Sequence, residues 1–72
     1  MSQFPARLKE IRKLRGKKQR DIAEHLSMKI RSYQFYESGD REPSFDKLID
    51  IADYLDVTLD YLLGRTDTDP NL

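Results

Sequence analysis

An all-α fold of five short helices is predicted for this 72-residue chain by three observations. Apolar residues recur at spacings of three and four, Gly and Pro fall where each periodic stretch closes, and strand signals are weak. The first stretch, Phe4 to Arg15, aligns Phe4, Leu8 and Ile11 in one stripe and leaves its bases on the other sides. Pro5 suits the first helical turn and Gly16 the stop. Gln19 to Leu26 repeats the pattern with Ile22, Ala23 and Leu26, and a turn at Ser27 and Met28 leads to a third helix, Ile30 to Ser38, closed by Gly39.

A polar loop, Asp40-Arg41-Glu42-Pro43, precedes a fourth helix whose start Ser44 can cap with its hydroxyl. Its expected buried face is Phe45, Leu48, Ile49, Ala52 and Leu55. Thr58 can cap a fifth helix, Leu59 to Leu63, that Gly64 stops. Periodicity then ends, so residues 1–65 read as one domain and 66–72 as a flexible tail or the start of a linker.

Size and composition narrow the function classes. A chain this short has room for one core, which usually supplies only about 3–5 kcal/mol, so close helix packing or oligomerisation is expected to supplement it. There is no cysteine and no apolar run of membrane-spanning length, and Met1 to Phe4 does not begin a secretory leader, which together predict a cytoplasmic setting. A single histidine, His25, no Gly-rich phosphate loop and no acid cluster at metal spacing leave an enzyme without parts. No cofactor or metal is expected; His25 reads as a surface residue of the second helix.

The formal net charge is zero, yet the charges are segregated. Residues 1–41 carry eleven bases against five acids, whereas residues 42–72 carry two against eight. This asymmetry suggests that the first half faces a polyanion; two merely solvated faces are the alternative.

On the third helix, a turn of about 100° per residue sets Ile30, Arg31, Gln34 and Phe35 on one arc and Tyr33 and Tyr36 on the opposite one. With the tyrosines in the core, the other arc is exposed. It mixes side chains that suit a major groove: Arg31 for guanine, Gln34 for adenine or a phosphate, Ile30 or Phe35 for a thymine methyl. The alternative is that Ile30 and Phe35 cover a neighbouring helix while Arg31 solubilises the surface.

Small Ala23 at a close crossing, with Ile22, Leu26, Met28, Tyr33 and Tyr36 inward, is the layout of a helix-turn-helix. Across residues 7–65 the sequence resembles the phage repressor and Cro family, often called the Xre family. The resemblance rests on Arg7-Leu8-Lys9-Glu10-Ile11-Arg12, on Gln19 and Ala23, on Tyr36-Glu37-Ser38-Gly39 with Arg41-Glu42-Pro43-Ser44, and on Leu59-Asp60-Tyr61-Leu62-Leu63-Gly64. It implies a five-helix, lambda-repressor-like domain that binds double-stranded DNA, acts as a transcriptional repressor and dimerises on a near-palindromic operator.

The resemblance also implies that Gln19 contacts a phosphate and braces the reading helix, and that Arg12 and Glu37 form a salt bridge. From the residues alone an uncoupled pair is as good a reading. Lys18, Arg20, Lys29, Ser32 and Arg41 are the further phosphate candidates. Three positions depart from the family. Ser27 stands where the turn usually has glycine, and Lys18 and Lys29 stand where Ser or Thr caps the second and third helices; either the lysines meet phosphates or the helix starts are shifted.

A protein-interaction reading competes, because the same fold serves antitoxins that bind a partner protein and repress their own operon. Tyr54, Tyr61 and Leu62 are candidate contacts for a second copy or such a partner. Completion of the small core is the alternative for the two tyrosines.

Overall fold

The computed structural model describes residues 3–68. Five helices follow in order: α1 (Phe4–Leu14), α2 (Gln19–His25), α3 (Ile30–Ser38), α4 (Phe45–Leu55) and α5 (Leu59–Leu62). The sequence places every helix start on its observed residue. The ends of α1, α2 and α5 fall one residue short of expectation, because Arg15, Leu26 and Leu63 act as C-caps that keep only backbone donors in the helical pattern.

Helix α1 is packed between α3 and α5, α2 meets α3 and α4, and α4 closes on α5. At the centre, Leu8 and Ile11 of α1, Ile22 and Ala23 of α2 and Tyr33 of α3 meet Ile51 of α4 and Leu62 of α5, all fully enclosed. Tyr33 and Tyr36 pack edge to face, with ring centroids 6.2 Å apart. Both are buried, as the helical wheel requires.

Side-chain caps occur where Ser44 and Thr58 predict them. The Lys47 amide donates to Ser44 Oγ at 3.3 Å, and the Tyr61 amide to Thr58 Oγ1 at 3.1 Å. Neither Lys18 nor Lys29 caps its helix, since an ammonium cannot accept a hydrogen bond. The helix starts are nevertheless unshifted. At α2 the reciprocal half of a cap survives, with the Lys18 amide donating to Asp21 Oδ2 at 2.7 Å.

Two non-glycine residues adopt left-handed backbone. Ser27 has φ 56°, the strained turn expected from its place between α2 and α3. Asp56 has φ 57° at the end of α4, a position its composition does not announce; a short polar side chain tolerates this region better than most. At the end of α3, Gly39 has φ 86°, the left-handed region in which glycine relieves the backbone.

The expected face of α4 needs correction. Leu48 is half-buried and Ala52 and Leu55 are buried, but Phe45 is 85 % exposed and Ile49 45 % exposed, while Ile51, outside the expected set, is fully buried. The stripe 48, 51, 52, 55 has the same helical periodicity as the stripe 45, 48, 49, 52, 55. Packing against α2 and α5 selects the first. Phe45 then projects from the first turn and, with Phe4, Pro43, Leu48 and Leu63, lines an open hollow of about 360 Å³.

No helix among the described residues is long and apolar enough to cross a membrane.

Candidate nucleic-acid interface

Helix α3 presents the arc its sequence foretells, with one adjustment. Ile30 is 40 % exposed, and Arg31 and Gln34 are exposed. Phe35 is half-buried rather than open, because the Arg41 guanidinium lies 4.6 Å from its ring centroid and that of Arg31 5.9 Å away. Phe35 thus gathers two arginines on the outer side of α3, and the spacing of Arg31 four residues before Phe35 was a legible sign of the first of them.

Behind this surface lies a polar network. The Arg12 and Glu37 side chains are 9 % and 5 % exposed and form a two-pronged ion pair, Nε to Oε2 at 2.6 Å and Nη2 to Oε1 at 3.2 Å. Arg12 also donates to the Lys17 carbonyl at 2.9 Å. Glu37 accepts further bonds from the Tyr33 hydroxyl at 2.5 Å and from Gln19 Nε2 at 3.1 Å. Gln19 Oε1 in turn accepts from Gln34 Nε2 at 3.0 Å. One carboxylate therefore ties α1, α2 and α3 together.

Burial alone would raise the pKa of Glu37, but hydrogen bonds from Arg12, Tyr33 and Gln19 outweigh it and hold the carboxyl below its ordinary range. Burial, with the hydrogen bond to Glu37, pushes the Tyr33 phenol up, so it stays a donor. The hydrogen bond to Glu37 raises Arg12 further.

Of the phosphate candidates, Lys18, Arg20, Lys29 and Arg41 are exposed, whereas Gln19 and Ser32 are half-buried. Gln19 is the one already bonded on two sides, to Glu37 and Gln34. In sequence, the four exposed cations flank the starts of α2 and α3 or follow α3.

Residues 8–62 match the helix-turn-helix family. The chain belongs to that family. It is 40 % identical over 65 residues to the cryptic phage CTXphi transcriptional repressor RstR of Vibrio cholerae, covering 90 % of this chain and 58 % of the relative. It is 43 % identical over 60 residues to the HTH-type transcriptional regulator YqaE of Bacillus subtilis, covering 83 % and 52 %. A solved transcriptional regulator from Listeria innocua superposes with a TM-score of 0.82 at 36 % identity, over 89 % of this chain and 60 % of that one. This helix-turn-helix chain thus spans little more than half the length of these relatives.

Two arginines of α1 in the helix-turn-helix protein, Arg7 and Arg15, turn back onto the chain itself. Arg7, buried, donates to the Tyr61 carbonyl at 3.0 Å, the Thr66 carbonyl at 3.2 Å and Asp67 Oδ1 at 2.9 Å, and its guanidinium lies 4.3 Å from the Tyr61 ring centroid. Arg15 donates to the carbonyls of Leu55 at 2.7 Å and Asp56 at 3.2 Å. These α1 arginines satisfy carbonyls at the ends of α4 and α5, where a cation is also favoured by the helix dipole. Sequence reasoning missed both roles, since backbone acceptors leave no mark in the residue order. The bonds to Thr66 and Asp67 also tie to the domain two residues expected in the tail; residues 69–72 of that tail lie outside the described residues.

The proposed dimer contacts require correction. Leu62 is fully buried and Tyr61 nearly so, each in this chain's own core, so neither is an exposed anchor. Tyr54 is half-buried, stacked on His25 at 4.3 Å with the Lys17 ammonium 5.3 Å from its ring. His25 is exposed, as expected, but with this stacking partner.

Proposed function

We propose that this chain is a sequence-specific, double-stranded DNA-binding transcriptional regulator, a repressor, that lays α3 in the major groove. The observation that carries the reading is the division of α3: Tyr33 and Tyr36 are locked inside and Ile30, Arg31 and Gln34 stand outside, on a segment that also carries exposed Lys18, Arg20, Lys29 and Arg41. In this reading Ile30, Arg31, Gln34 and Phe35 meet base edges, and the flanking cations with Gln19 and Ser32 meet phosphates. Such chemistry needs no cofactor and belongs in the cytoplasm. The repressor name of a 40 % identical relative supports it.

The working form is a homodimer on a near-palindromic operator, with two α3 helices about one DNA turn, roughly 34 Å, apart. Its contact face draws on exposed Phe45, Ile49 and Leu59 in place of Tyr61 and Leu62. These exposed apolar side chains also support a second reading, an antitoxin-like protein that also binds a partner protein.

Selection from random duplex DNA with the purified chain at two salt concentrations tests the proposal. A single enriched two-part motif is expected, with affinity falling by about 0.9 in the log–log salt slope for each phosphate contact. Absence of any enriched motif at moderate salt overturns the reading, and sedimentation showing a monomer on the selected site overturns the dimer.

A further inference from the structure

Phe35 is half-buried where its neighbours on the outer arc of α3, Ile30, Arg31 and Gln34, are exposed. Two guanidiniums lie over its ring, that of Arg41 at 4.6 Å from the centroid and that of Arg31 at 5.9 Å. The face of the ring is electron-rich, so it attracts each cation without using up an N–H donor. Neither guanidinium forms an ion pair or a hydrogen bond with the described residues, so the ring is what restrains them. Arg41 is pinned a second time, because its backbone amide donates to the Phe35 carbonyl at 3.2 Å. For the Arg31 side chain the ring one helical turn on is the single restraint among the described residues.

We infer that Phe35 is a specificity-setting positioning residue: its ring keeps the Arg31 guanidinium against α3 and so commits it to guanine rather than to the phosphates. This rests on the reading above that Arg31 faces the groove. Among the bases, only guanine offers two adjacent acceptors in the major groove, O6 and N7, to the parallel N–H groups of a guanidinium. That match does not by itself make an arginine selective. Opposite any other base pair, a free side chain of this length swings to a phosphate and recovers binding on every sequence alike. Specificity is the difference between the two situations. A guanidinium seated on the ring must leave it to reach a phosphate, so the wrong base pairs lose that compensation. Arg41, nearer the ring and pinned by its amide, remains the phosphate contact of the pair.

The test compares the wild type with Phe35→Leu, Phe35→Tyr, Arg31→Ala and the double variant of Arg31→Ala with Phe35→Leu. The duplexes carry each of the four base pairs at the position where Arg31→Ala changes the preference. Leu keeps an apolar side chain in the half-buried place but has no π face, and Tyr restores the face. The readout is the ratio of affinities between base pairs, which a lost phosphate contact leaves unchanged. The preference for guanine is expected to fall about two- to fivefold in Phe35→Leu, the size of one exposed cation–π contact, and to persist in Phe35→Tyr. In Phe35→Leu the log–log salt slope on the other three base pairs is expected to steepen, relative to that on guanine, by up to about 0.9, because the released arginine gains a phosphate there. Arg31→Ala removes the preference, and the double variant matches Arg31→Ala.

An unchanged guanine preference or an unchanged slope difference in folded Phe35→Leu overturns the tether, and so does a loss in Phe35→Tyr equal to that in Phe35→Leu. An Arg31→Ala protein with no altered base preference overturns the groove-facing reading itself. Should Phe35→Leu fail to fold, Phe35→Met, which fills the same place without a ring, is expected to lower the guanine preference in the same way, and full retention there also overturns the tether.

Discussion

The basic first half and the acidic second half of this chain use charge in opposite ways. In α1 to α3, charge works on both sides of the surface. Arg7, Arg12 and Arg15 are engaged within the chain, with Glu37, with backbone carbonyls and, at the surface, with exposed Asp67, while Lys18, Arg20, Lys29, Arg31 and Arg41 remain outside. From residue 42 onward every acid among the described residues is exposed, and the unusual exposures are apolar, Phe45 and Ile49. The difference teaches that segregated charge locates a face but overstates its field. Three of the eleven bases that give the first half its excess are structural.

The largest expected effect breaks the internal use of charge. Glu37→Gln should destabilise the fold by about 3 kcal/mol in urea unfolding, because Arg12 loses its ionised partner at a nearly closed site. Loss of under 1 kcal/mol would place the pair with ordinary surface bridges. The pH dependence has a defined sign. Glu37 is more acidic folded than unfolded, so its contribution is complete well above its ordinary value of 4.5 and disappears as the pH falls through the lower folded value. Glu37→Gln should flatten that acid limb; an unchanged limb would assign acid unfolding to other carboxylates.

Next comes the external use of charge. Arg31→Ala should weaken binding to the selected site by about 1–3 kcal/mol and relax the preference at one base pair. Equal losses on all duplexes would make Arg31 a phosphate contact.

Two smaller effects sharpen the contrast. Ser27→Gly should stabilise the chain by about 1 kcal/mol by relieving the left-handed serine between α2 and α3, read as a higher thermal midpoint. A lower midpoint would mean that unfolded-state entropy outweighs the strain. Phe45→Ser should leave stability within about 0.5 kcal/mol while weakening any self-association seen by sedimentation. A clear loss of stability would return Phe45 to the core.

How much was legible follows from what each step required. The nine residues of α3 suffice to separate two opposite arcs, so the burial of Tyr33 and Tyr36 and the exposure of Arg31 and Gln34 could be read from 100° steps. The caps at Ser44 and Thr58 were equally local, each a hydroxyl within reach of an amide three residues on. In α4 two stripes shared Leu48, Ala52 and Leu55, so periodicity could not choose between Ile51 and the pair Phe45 and Ile49. Tyr61 and Leu62 looked available for a partner for a similar reason: a helix of four residues has too few positions to show which face is inward.

By itself, the order of residues determined the helices, their starts, the strained turn at Ser27 and the two arcs of α3, because these depend on neighbours within one or two turns. Only the tertiary structure decided the rotation of α4, the capping of distant carbonyls by Arg7 and Arg15, and the chain of bonds from Arg12 through Glu37 and Gln19 to Gln34. Those join groups from 15 to 59 positions apart, and whether they meet depends on how whole helices pack, a choice made by the burial of the entire core.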